Sequence, residues 1–310
     1  MTGTRRRLLR TLADADDPVA GPALADALDV SRAAVWKHIE ALRDAGFDIE
    51  SGADGYVVRA VPDYGAAAIE FGLDAPYTIE YHERLPSTND RARELAAAGE
   101  SDVVVVADEQ TGGRGRLDRP WVSPSGGVWA SLLVRPDRPP AHAPLFTLVA
   151  AVAVTRACRE AGVDAVIKWP NDVLLAGSER KLAGVLTEME GEADRVSWLV
   201  AGVGANVDIA ATDLPETATS VRAAGGDDDR RRFCQRVIET FHEYRTEPAS
   251  VLPAWRDHAV TLGRRVRVET PGGAVEGTAV DVRFPGALVI RTDGGERVVH
   301  AGDCEHLRPA

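Results

Sequence analysis

The chain hardly uses lysine. Of its 36 basic residues only Lys37, Lys168 and Lys181 are lysines, and arginine supplies every other cation. Cysteine is scarce too: Cys158, Cys234 and Cys304 are far apart, odd in number and never spaced Cys-x-x-Cys. That excludes a zinc site of paired cysteines and a disulfide framework, leaving each as a small buried hydrophobe. No stretch reaches the roughly eighteen consecutive apolar residues of a membrane span. The opening MTGTRRRLLRTLAD lacks the apolar stretch of a signal peptide. These absences lead us to expect a cytoplasmic protein that makes no membrane contact. Basic charge is also in deficit, with 48 acidic residues and a net charge of -12. Such a chain binds nucleic acid only through a local basic surface.

The first sixty residues alternate short helical patterns with a hairpin. Leucines at 8, 9 and 12 make one narrow apolar face, and Leu24 and Leu28 another, behind Pro22 at an expected first helical position. Ser31 is placed to cap the helix SRAAVWKHIEALRDAGF, whose apolar side is Val35, Ile39 and Leu42 and which stops at Gly46. FDIESGADGYVV then reads as two strands around a turn. That order is a winged helix-turn-helix, in which the capped helix enters the major groove. Its outer side offers Ser31, Arg32, Lys37 and His38 to phosphates or base edges. Residues 1–60 carry eight basic and ten acidic residues, so a solvated helix face used for protein contacts is the competing reading.

Residues 63–76, with Pro, Gly and Ala but no periodicity, read as a linker. From Tyr77 strands alternate with helices, which predicts a mixed α/β domain over 77–257. The last stretch, 258–310, is strand-rich, with Pro-Gly-Gly, Pro-Gly and Asp-Gly-Gly turns at close spacing. It reads as a small barrel of short strands. The fold class is therefore multidomain α+β, with a winged helix over 1–62.

Two segments carry the chemistry. DEQTGGRGRLDRPW follows a buried strand, with glycines at 112, 113 and 115 and arginines at 114, 116 and 119. Glycine lets a backbone approach an anion, and guanidinium groups grip carboxylate or phosphate. The spacing fits neither a dinucleotide fingerprint nor a Walker loop. KWPNDVLLAGSERKLAGV then holds two of the three lysines thirteen residues apart. Lys168 stands beside Asn171 and Asp172, whose oxygens suit metal or hydroxyl, and Lys181 opens a strand that turns apolar. An ammonium there is costly unless it meets an anion; pairing with Glu179 or Glu188 is the bland alternative. The residues alone predict an enzyme that acts on an anionic substrate and uses a nucleotide, and go no further.

STN (87–89), Q-x-x-G-R-G-R…W (Gln110, Gly113 to Arg116, Trp121), KWPND (168–172), KLAG (181–184) and GVGANV (202–207) occur in this order. Together with the winged-helix segment they resemble the biotin protein ligases of the two-function class, biotin–[acetyl-CoA carboxylase] ligase joined to a biotin operon repressor. The resemblance covers nearly the whole chain. It implies a central class II aminoacyl-tRNA-synthetase-like, biotin/lipoate ligase fold and a C-terminal SH3-like barrel. It implies adenylation of biotin by ATP and Mg²⁺ to biotinyl-5′-AMP, then transfer to a lysine of a biotin carboxyl carrier protein. It also implies operator DNA as a partner and a homodimer, at least when ligand is bound.

By position, Ser87, Thr88, Asn89, Gln110, Gly113, Arg114, Gly115, Arg116, Lys181, Gly184 and Gly204 would line the biotin site. Arg119, Trp121, Lys168, Asn171, Asp172 and Asn206 would serve ATP, with Asn171 and Asp172 near Mg²⁺. Lys181, Arg116 and Arg114 would be the catalytic cations. The family usually has glycine where Asp118 stands. Two other functions compete: a ligand-sensing transcription factor without ligase activity, which need not keep Lys168, Asn171, Asp172 and Lys181, and a relative of the lipoate ligases, from which KWPND and GRGR differ.

Overall fold

Leu8, Leu9 and Leu12, spaced for one helix face, are buried in the first core of the computed structural model, which describes residues 3–307. Helices α1 (Gly3–Ala13), α2 (Gly21–Leu28) and α3 (Arg32–Asp44) close this core with Leu24, Leu28, Val35, Ile39 and Leu42. Phe47 and Ile49 complete it. Pro22 is the second residue of α2, one place later than expected. Neither position has an intrahelical partner for its N–H, so proline is tolerated at both. Strands β1 (Asp48–Ser51) and β2 (Tyr56–Ala60) pair antiparallel as the wing.

The expected linker contains a helix, α4 (Ala66–Glu70). Ala67 and the following Phe71 pack on the N-terminal core, while Ala68 and Ile69 are buried, Ile69 in the central one. Glu70 is buried and accepts from Arg6 of α1 at 2.9 Å and from the Ile79 N–H at 3.3 Å. Five residues are too few to display a helical period, and this helix serves two cores at once. The sequence pattern therefore left no signal.

The central domain is built on β3 (Thr78–Leu85), α5 (Thr88–Ala97), β4 (Val103–Gln110), β5 (Gly127–Val134), α6 (Ala143–Glu160), β6 (Ala165–Lys168) and β7 (Asp172–Leu175). It continues through β8 (Lys181–Gly191), β9 (Val196–Asn206), α7 (Arg230–Thr246) and α8 (Val251–His258). The sheet order is β3-β4-β5-β9-β8-β7-β6. Only β3 and β4 are parallel, joined by α5; the other neighbours are antiparallel. Strand β7 and helix α8 had escaped the sequence reading, both being short. Helix α6 is long and apolar enough to cross a membrane, but most of it is buried in the central core, where it meets α7 and α8. Ala92 and Ala96 of α5 cover Val103, Val105, Leu133 and Val200 on the opposite face. Beyond the N-terminus of α5 that face continues as Gly184, Leu186, Gly202 and Gly204. Gly184 stands opposite Gly204 and Leu186 opposite Gly202. Three side-chain-free positions in register make a floor over which Asn89, Trp121 and Lys181 lie directly on the backbone.

The C-terminal strands β10 (Arg265–Thr270), β11 (Gly273–Arg283), β12 (Ala287–Thr292), β13 (Gly295–Val299) and β14 (Asp303–His306) form one antiparallel sheet, ordered β13-β12-β11-β10-β14. Val266, Val268, Ala279, Leu288 and Ile290 of this sheet are buried in the same core as α6.

Candidate functional site

A cavity of about 270 Å³ opens over the glycine floor. One end is built where β3 hands over to α5. Ser87 caps α5, its hydroxyl oxygen accepting from the Asp90 N–H at 3.3 Å. The hydroxyl proton thus stays available to a ligand oxygen, beside the positive end of the helix. The Thr88 N–H donates to Gln110 Oε1 at 2.9 Å, and Gln110 Nε2 donates to Ser123 Oγ at 3.1 Å. Ser131 Oγ lies 2.8 Å from Thr88 Oγ1 and 2.6 Å from Asn89 Oδ1. Asn89 Nδ2 donates to Glu188 at 2.7 Å. Ser87, Thr88, Asn89 and Gln110 all line the cavity. The result is a rigid, mostly buried polar end whose amide and hydroxyl groups are already oriented.

The arginine-glycine loop closes on itself. The Trp121 N–H donates to Gly113 O at 2.9 Å, the Gly115 N–H to Arg119 O at 2.8 Å, and Arg114 bridges Pro120. Gly113 does not reach the cavity. A Cβ there would sit 2.5 Å from Trp121 O and 2.6 Å from Ser123 Oγ, so glycine permits the loop to fold rather than a ligand to approach. At the tip Leu117 and Asp118 adopt φ of 56° and 53°. Arg114, Gly115, Arg116, Arg119 and Trp121 line the cavity. Arg114 pairs with Asp90. Arg116 donates to Asn171 Oδ1 at 3.1 Å and to Gly302 O at 2.6 Å, and Arg119 pairs with Asp303 at 2.6 Å. The C-terminal sheet therefore supplies one wall, through Asp303, which the sequence reading had passed over.

Lys181 Nζ meets neither Glu179 nor Glu188 but Asp172, at 2.7 Å. It also lies 4.9 Å from the centre of the Trp121 ring. The register shift between Val173 and Leu174 sets Lys181 opposite Leu174, on the face of β7 that also carries Asp172. The space over Gly204 is taken by the Trp121 indole, whose Nε1 would lie 2.7 Å from a Cβ there and has no hydrogen-bond partner. Lys181, Asn171, Asp172, Gly184 and Gly204 line the main cavity. Lys168 does not; it lines an adjoining cleft with Arg119, Asn171, Asp172 and Asp303. Asn206 lines neither of the two. It is buried at the end of the floor, donating to Thr219 O at 3.0 Å and to Lys181 O at 3.5 Å, and so braces the strand that carries Lys181.

On the surface of α3, Arg32 and Lys37 are exposed and His38 is half-buried. Burial, then Arg5 and Lys37, holds the His38 pKa below its usual value. The Ser31 hydroxyl accepts from the Ala34 N–H at 3.2 Å as the helix cap. Trp36, which the sequence reading assigned to no face, is among the most exposed large apolar residues. The three cysteines are buried, and that burial pushes the Cys158 and Cys234 thiols up to about 12 and Cys304 to about 11. None of them lines the main cavity, and Cys304 lines the adjoining cleft beside Lys168. The sequence reading also missed Ser131, Ser123 and Glu188, which orient the polar end; isolated polar residues inside strands carry no spacing signal.

The family model described as "Biotin/lipoate A/B protein ligase family" matches residues 81–206. An HTH domain matches 4–57, and the "Biotin protein ligase C terminal domain" matches 261–307. The chain is 38% identical over 307 residues to the bifunctional ligase/repressor BirA of Bacillus subtilis (strain 168), covering 93% of each. It is 34% identical over 229 residues to the biotin–[acetyl-CoA-carboxylase] ligase of Mycobacterium tuberculosis, covering 70% of this chain and 84% of that one. Among solved structures, the biotin protein ligase from Aquifex aeolicus in complex with biotin and ATP superposes with a TM-score of 0.62 at 26% identity. It covers 74% of this chain and 99% of its own.

Proposed function

We infer the chemistry of this cleft from one premise: the chain belongs to the biotin protein ligase family, in the branch that carries an N-terminal helix-turn-helix. It is a biotin protein ligase with a repressor-type DNA-binding domain. In the reading proposed here, the biotin carboxylate attacks the α-phosphate of ATP, the bond to pyrophosphate breaks, and biotinyl-5′-AMP forms. The amine of a carrier-protein lysine then attacks the acyl carbon, releasing AMP and a proton and leaving an amide.

The observation that carries this assignment is the convergence on one cavity of an oriented polar end, Ser87, Thr88, Asn89 and Gln110, with Arg114, Arg116 and Lys181. The polar end supports hydrogen bonding of a neutral heterocycle. Lys181, between Asp172 and Trp121, supports stabilisation of charge where carboxylate meets phosphate. Arg116 and Arg114 would exchange Asn171 and Asp90 for ligand oxygens as the loop closes. Positioning and exclusion of water from the anhydride complete the catalysis, with no covalent enzyme intermediate.

Lys168, Arg119, Trp121 and Asp172 would serve the nucleotide. Asp172 and Asn171 offer a magnesium ion one carboxylate and one amide oxygen. That is a thin donor set, suited to an ion held mainly by phosphates and water. Such an ion would neutralise charge on the triphosphate. The same reading takes Arg32, Lys37 and His38, with the Ser31 helix start, to DNA, the chain to the cytoplasm, and the ligand-bound form to a homodimer.

The test is pyrophosphate release from ATP and Mg²⁺ with biotin, lipoate or octanoate, at low and high salt. Biotin-dependent release is expected. Release with lipoate alone would replace the assignment by a lipoate ligase, and tight biotin binding without release by a sensor. For DNA, Arg32→Ala and Lys37→Ala should each lower the salt dependence of duplex binding by about one counterion per lost phosphate contact.

A further inference from the structure

Thr261 stands between α8 and β10 with its side chain fully buried. The Trp169 N–H donates to Thr261 Oγ1 at 2.9 Å, and His306 Nε2 of β14 lies 3.0 Å from the same oxygen. Arg264 approaches His306 Nδ1 at 3.3 Å. A guanidinium only donates, so Nδ1 accepts and the ring proton sits on Nε2, directed at Thr261. Burial first, then Lys168 and Arg264, keep this imidazole neutral, with its pKa held down to about 4; Glu179 pulls the other way. Two more contacts hold the same stretch. The Val260 N–H donates to Ile167 O at 2.9 Å, and Trp169 Nε1 donates to Gly286 O at 2.9 Å. Residues 167–169 are thus held from three sides by the segment leading into the C-terminal sheet and by the sheet itself.

We propose that Thr261 and His306 are positioning residues that hold the Lys168–Asp172 turn, through the main chain of Trp169, at the height where it meets the nucleotide. The inference rests on the nucleotide role assigned to that turn above. Without the Thr261 oxygen the buried Trp169 N–H has no acceptor, and the turn must move to regain one. The polar end of the cavity belongs to β3, α5 and β4, and none of its hydrogen bonds involves Thr261 or His306. Loss of the relay should therefore reach ATP and leave biotin alone. A role in general stability would weaken both together.

The experiment compares Thr261→Val, which keeps the shape and removes the hydroxyl, with Thr261→Ser, which restores it. His306→Leu serves as a second variant should Thr261→Val not fold. Biotin-dependent pyrophosphate release gives the KM for ATP, and titration calorimetry without nucleotide gives the Kd for biotin. Thr261→Val is expected to raise the KM for ATP about tenfold with the biotin Kd unchanged. Thr261→Ser should return it to the wild-type value, and His306→Leu should shift it in the same direction by less. Parallel loss of ATP and biotin binding, an unchanged KM for ATP, or a serine variant no better than valine would overturn the proposal. If the wild type releases no pyrophosphate with biotin, the ligase chemistry of the cleft fails instead. Calorimetry with a non-hydrolysable ATP analogue then reads the relay on the same variants.

Discussion

At Lys181 an ammonium differs from a guanidinium in the room it needs. The side chain runs along Gly184, where an added Cβ would lie 3.1 Å from both Cε and Nζ, and ends 2.7 Å from Asp172. A planar five-donor fork cannot occupy that point. Lys181→Arg is expected to fold normally and to lose adenylation by about a hundredfold or more, measured as pyrophosphate release beside a circular dichroism melt. Near-wild-type turnover would remove Lys181 from the catalytic groups. Asp118 presents a backbone question instead. Its φ of 53° lies in the left-handed region, which explains why glycine suits the position and why aspartate, unlike a branched residue, is tolerated. Asp118→Val should impose about 1–2 kcal/mol of strain on the closed loop. Biotin affinity would fall by about tenfold or more in calorimetry, with the global melting temperature hardly changed.

Among the elements, α3 has a start that can be weakened away from the cavity. Its cap is the Ser31 hydroxyl on the Ala34 N–H, and Ser31→Ala should cost about 1 kcal/mol of helix stability. A denaturant titration followed in the N-terminal domain should register that loss while biotin-dependent pyrophosphate release stays constant. If release fell in parallel, the two domains would be energetically one. The contacts of α4 make that outcome informative, because Glu70 joins Arg6 to the start of β3 and β3 leads to Ser87.

For the molecule as a whole, partly buried histidines set an acid limit on stability. His242, His258 and His306 have pKa values below the usual 6.5, each through burial first. The unfolded chain therefore takes up protons before the folded one does, and stability falls as pH drops from about 6.5 towards the folded-state value, about 4 for His306. His306 is faced by Lys168 of β6, Glu179, Arg264 and Thr261, and its imidazole is only 5% exposed. The thermal midpoint should fall between pH 7 and pH 5, and His306→Gln should flatten that slope. Identical slopes would show that other groups carry the acid sensitivity.

What the sequence determined by itself was local and periodic. The apolar spacing of α1 to α3, the Ser31 cap and the alternation of strands and helices from Tyr77 all follow from side chains a few residues apart. So did the two lysines and the glycine-arginine loop as places where charge gathers, although their assignment to biotin and ATP came from the ordered motifs. Tertiary structure decided what those charges face. Asp172 rather than Glu179 or Glu188 meets Lys181 because β7 and β8 pair across a bulge. Asp303 reaches Arg119, and Thr261 reaches Trp169, only because the C-terminal sheet packs against the central core. Asn206 shares a face of β9 with Gly202 and Gly204, and only the fold brings Thr219 O onto its amide and closes it off from the cavity. The pairs Arg119–Asp303 and Trp169–Thr261, 184 and 92 positions apart, depend on domain packing, and the nearer pairs on strand register, so no short-range pattern in the chain encodes them.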